Sequence, residues 1–100
     1  MTVAEAMKKM ILLSNGNRHD INHFLKVHAY AAAIGACEGL PEDTLQTLEL
    51  AAIVHDIACP LCREKYGNTN GNYQQLEGAS LTREFFAGTD VPAEQLERIV

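Results

Sequence analysis

The 100-residue chain has no tryptophan, and it has no apolar run approaching the ~20 residues that a membrane-spanning helix requires. Residues 1–13 carry two lysines and a short apolar run from Met10 to Leu13. A secretory signal needs a longer apolar region and a small-residue cleavage site. The expectation is a cytoplasmic protein that opens on an ordinary helix. Cysteine is scarce and odd in number, three in all. That excludes a regular disulfide framework and points to reduced thiols. Lys and Arg total 8 against 13 Asp and Glu, a formal net charge of −5, and the basic residues form no stripe. A nucleic-acid surface is therefore not expected. Internal repeats and low-complexity tracts are also missing.

What is present is helical patterning in one small domain. Apolar residues make up 47% of the chain, enough for a single core with a thin margin. Val3, Met7, Met10 and Ile11 mark one face of a first helix over 2–13. Ser14-Asn-Gly-Asn17 supplies turn chemistry. A second helix is predicted from Asp20 to Glu38, stopped by Gly39, and a third over 42–57 after Pro41. Residues 58–72 are rich in Gly, Asn and Pro and read as a long loop, of a length that is often functional. A fourth helix is predicted from Tyr73 to Phe86 and a fifth from Ala93, giving an all-α bundle of about five helices. The amphipathic pattern of Leu96, Ile99 and Val100 runs to the last residue. An exposed apolar face there favours self-association as a homodimer.

The residues that carry chemistry are His23 and the pair His55-Asp56. His23 lies 16 residues before Gly39, and His55 lies 14 after Pro41. At the helical rise of ~1.5 Å per residue, both sites are roughly 20–24 Å from the same turn. An antiparallel helix pair with a short connection brings them level. Two imidazoles and a carboxylate suit Zn, Mn, Fe, Co, Ni or Mg. His55 and Asp56 share an ion only if the helix ends beside them, and Ala58-Cys59-Pro60 predicts that end. Asp56 sits among Ala52, Ile53, Val54 and Ile57, where an unpaired carboxylate is costly; a metal or a strong hydrogen-bond partner removes that cost. The competing reading is that these histidines are internal core residues.

Other features rank lower. Asp20 precedes His23 by one turn and either caps its helix or orients the imidazole. His28 lies about 140° round the helix from His23 and reads as pocket lining or surface. Cys59-Pro-Leu-Cys62 forms a CxxC, but structural zinc needs two further ligands and Cys37 alone does not supply them. A thioredoxin-like reading needs a βαβ context. These thiols are expected to pack beside the loop. The loop itself, Tyr66 to Tyr73, reads as a lid or a connection.

Two segments carry a family resemblance. Asp20-Ile-Asn-His23-Phe-Leu-Lys-Val27 and Leu50-Ala-Ala-Ile-Val-His55-Asp56-Ile57 are similar to the paired motifs of the HD superfamily of metal-dependent phosphohydrolases. The likeness covers residues 18–87. It implies an all-α fold, a divalent metal held by His23, His55 and Asp56, and hydrolysis of a phosphate ester or anhydride in a nucleotide or other small phosphorylated molecule. It further implies that Asp56 doubles as the catalytic group that positions water. The family's last ligand is an Asp on a later helix, so 1–100 is expected to be a single HD-like domain lacking the family's C-terminal helices. Some members carry an extra His where this chain reads Tyr73-Gln-Gln-Leu-Glu77, which leaves Glu77 as a candidate near the metal. Arg63 and Lys65 are candidates for holding substrate phosphate. The alternative function is a non-catalytic metal- or ligand-binding regulatory domain.

Overall fold

The computed structural model describes all 100 residues. It contains six helices and no strand: α1 (Val3–Leu13), α2 (Arg18–Cys37), α3 (Glu42–Val54), α4 (Cys59–Tyr66), α5 (Gly71–Phe86) and α6 (Ala93–Ile99). The expected all-α bundle is what forms. Local chemistry sets several helix ends. Thr2 and Glu5 make a reciprocal capping box ahead of α1, satisfying two backbone N–H groups. Asn17 caps α2, its side-chain oxygen accepting from the backbone N–H of Asp20. Gly39 adopts φ +69°, the left-handed conformation that stops α2.

α2 and α5 each begin two residues earlier than the sequence reading places them, and the larger differences lie between them. The third helix ends at Val54, and residues 55–58 form a turn. The segment expected as a loop over 58–72 contains α4. Its Pro60 stands in the first turn of that helix, where a missing N–H breaks no hydrogen bond. A proline that reads as a breaker here starts a helix.

α2 and α3 form an antiparallel pair. His23 meets His55, His28 meets Glu49, and Gly35 meets Leu45, so the contacts run in reverse order along the two helices. Gly35 sets the closeness of approach. A Cβ there would lie 2.6 Å from Leu45 Cδ1 and 3.2 Å from Leu48 Cδ2. Leu50, Ile53 and Val54 place α3 at the centre of one buried cluster with Phe24, Met10, Phe85, Phe86 and Ile99. Although no uninterrupted apolar run is long enough, the stretch Glu42–Tyr66 is by length and mean hydropathy apolar enough to cross a membrane. In this fold it is two helices joined by a turn, and half of its most apolar window is buried in the bundle. The apolar side of α6 is likewise turned inward: Ile99 is buried and Leu96 packs on the core. Val100, at the end of the same pattern, stays exposed, as do Leu12 on α1, Tyr30 and Ile34 on α2, and Leu76 on α5.

Candidate metal centre

The open end of the α2–α3 pair gathers His23, His55 and Asp56. One donor atom from each lies within 4.8 Å of the others. Asp56 Oδ2 is 3.0 Å from His23 Nε2 and 3.0 Å from His55 Nε2, and the two imidazole nitrogens are 3.3 Å apart. The early end of α3 makes this possible. On a continuing helix, neighbouring side chains diverge by about 100°; in the turn after Val54, His55 and Asp56 converge.

His55 is oriented by its own chain. Its Nδ1–H donates to the carbonyl of Ala52 at 2.6 Å, so in the neutral ring the Nε2 lone pair is aimed at Asp56 and His23. A backbone carbonyl in this role is a common support for a metal-bound imidazole. An Nε2 lone pair and a carboxylate oxygen 3.0 Å apart repel unless a cation or a proton lies between them. The donor set of two imidazoles and one carboxylate thus fits a borderline divalent ion.

The remaining candidates do not join this cluster. Asp20 shares a cavity of about 10 Å³ with His23 and Asp56, but its carboxylate pairs with Arg63 of α4. Glu77 accepts from Lys65 at 2.9 Å and from the Tyr66 hydroxyl at 2.7 Å. Arg63 and Lys65 are therefore both engaged by carboxylates. His28 pairs with Glu49 across the α2–α3 seam at 3.0 Å. Cys59 and Cys62 are buried, and burial, reinforced by the nearby charges of Asp56 and Asp20, pushes the Cys59 thiol up to about 11. At neutral pH, without a bound metal, it is a protonated thiol and a poor nucleophile.

A cleft of about 640 Å³ opens beside His55, a size that suits a small molecule. Gln74, Gln75, Gly78 and Thr82 of α5 line one side and Ala51 and Val54 of α3 the other. Sequence reasoning missed Gln74 and Gln75, because nothing in helical periodicity marks which residues of α5 face α3. It also missed the Asp20–Arg63 and Lys65–Glu77 pairs, which join distant segments.

The segment between α4 and α5 is clamped. Tyr66 and Tyr73 stack with centroids 3.9 Å apart, and Glu77 holds both Lys65 and Tyr66. The hydrogen bonds from Lys65 and Tyr66 keep the Glu77 carboxyl below its ordinary value. Its contribution is thus present above the unfolded-state value and is lost as pH falls through the lowered folded value. Glu77→Gln is expected to speed amide exchange over residues 67–70, relative to intrinsic rates, at neutral pH. The wild type should reach that state only in acid. Equal protection in both proteins at neutral pH would rule out the clamp.

Fold and cluster together define an all-α bundle with a three-donor imidazole–carboxylate centre. No protein-family model, curated protein or solved structure matches the chain.

Proposed function

We propose that this protein is a cytoplasmic, metal-dependent phosphohydrolase of HD-domain type, acting on a nucleotide or another small phosphorylated molecule. The observation that carries the reading is the convergence of His23, His55 and Asp56 donor atoms within 4.8 Å. The likeness of the segments around His23 and His55 to HD motifs supports the reaction class. A divalent ion held by His23, His55 and Asp56 would supply Lewis acidity toward a phosphoryl oxygen and lower the pKa of a bound water. The chain's own residues supply the rest. Ala52 fixes the His55 ring, Asp56 brings the negative charge and orients water, and the cleft beside His55 receives the organic part of the substrate.

One observation favours a second reading, a non-catalytic ligand-binding domain of the same type. Arg63 and Lys65, the cations best placed in sequence to hold phosphate, are neutralised by Asp20 and Glu77. Catalysis through them requires substrate phosphate to displace those carboxylates.

The two readings separate in a screen of generic phosphate esters with Mn- or Ni-loaded protein. Turnover is expected for wild type and should disappear in His23→Ala and Asp56→Ala. Stoichiometric metal without turnover selects the second reading. Hydrolysis that survives both substitutions rejects the site.

A further inference from the structure

His19 takes no part in the inner cluster, yet it lies one helical turn before His23 on the same face of α2. The two rings are nearly parallel, with an interplanar angle of 7° and centroids 6.4 Å apart. Both are open to solvent, His19 with 89% of its side chain exposed and His23 with 46%. His19 Nδ1 is 3.7 Å from an oxygen of Asp20, so a carboxylate lies close to the pair. Two imidazoles four residues apart on a helix have the spacing that binds zinc in helical His-x-x-x-His sites. We propose that His19 and His23 form a second, outer site for a borderline divalent ion, and that it competes with the inner cluster for His23.

The competition follows from geometry. His23 Nε2 faces Asp56 at 3.0 Å in the inner arrangement. A ring turned to share an ion with His19 leaves that position, and the inner ion keeps only His55 and Asp56. The ligand class follows from the donors. Two neutral imidazoles favour Ni, Cu, Zn or Co, whereas Mg and Ca prefer all-oxygen shells. The outer chelate stands on His19 and His23 alone; only the competition rests on the inner metal site proposed above.

Calorimetric titration of the untagged full chain with Ni(II) tests this. Wild type is expected to show a tight event and a second, weaker one, with the second missing when Mg(II) is the titrant. His19→Ala should keep the tight event and weaken the second by at least the about tenfold that losing even a supporting partner costs a metal site. His55→Ala should lose the tight event and keep the outer one. If wild type shows one event that His19→Ala removes and His55→Ala does not, the outer site stands and the inner metal site fails. A second event unchanged in His19→Ala, no event at all in wild type, or the loss of all binding in His55→Ala overturns the proposal.

Discussion

Asp56→Asn is expected to abolish stabilisation of the protein by metal while leaving the metal-free chain at least as stable as wild type. The first half follows from the donor set. Asp56 is the sole negative ligand, and its Oδ2 touches both imidazoles at 3.0 Å. An amide keeps the shape but removes the charge that a divalent ion needs most. At an ion concentration of 100 times Kd, a folded-state ligand contributes about 2.7 kcal/mol. For a chain of this size that raises Tm by more than about 10 °C. The shift should collapse in Asp56→Asn. The second half applies above the ordinary histidine range, where His55 is neutral: there the carboxylate faces the Nε2 lone pair, and the neutral amide relieves the repulsion by donating a hydrogen bond. Sites built for ligands commonly hold such unfavourable arrangements without the ligand. Thermal melts of both proteins, with and without Mn(II) or Ni(II), read both halves. A metal-induced shift of wild-type size in Asp56→Asn removes Asp56 from the ligand set.

How much of this centre is legible in the sequence depends on the kind of regularity each part uses. The match of His23 to His55 is legible because two straight helices and a short connection at Gly39-Leu40-Pro41 make it a matter of counting residues. The structure brings those side chains together across 32 positions. The convergence of His55 with Asp56 is partly legible: the helix had to end nearby, but nothing in the local sequence marks its end at Val54 rather than at Ile57. α4 is not legible from composition, since Pro60 and the flanking Gly and Asn residues weigh as breakers while their positions make them a start and a stop. The ion pairs of Asp20 with Arg63 and Glu77 with Lys65 leave no periodic trace at all. They follow from where α4 lies against α2 and α5, and they change the meaning of both cations.

Phe24→Ala is expected to cost about 3–5 kcal/mol, the range for removing a buried aromatic ring. A domain has only about 5–15 kcal/mol in total. Phe24 is 1% exposed and belongs to a buried cluster of nine residues, so little else compensates. Its neighbour His23 points the other way, partly in solvent and toward Asp56. The anchor and the ligand are thus successive residues of one helix, and the ring of Phe24 holds α2 in register against α3. Phe24→Leu keeps most of the volume and should cost nearer the about 1.5 kcal/mol of a tolerated core swap. It leaves a folded protein in which metal affinity can be measured. That affinity should fall even though all three ligands are intact. Phe86→Leu on α5, equally buried but outside the cleft and the small cavity, is the control. It should lower the urea midpoint to a similar degree without weakening metal binding. If both variants weaken metal binding alike, the centre simply follows global stability, and Phe24 has no particular part in holding His23 level with His55.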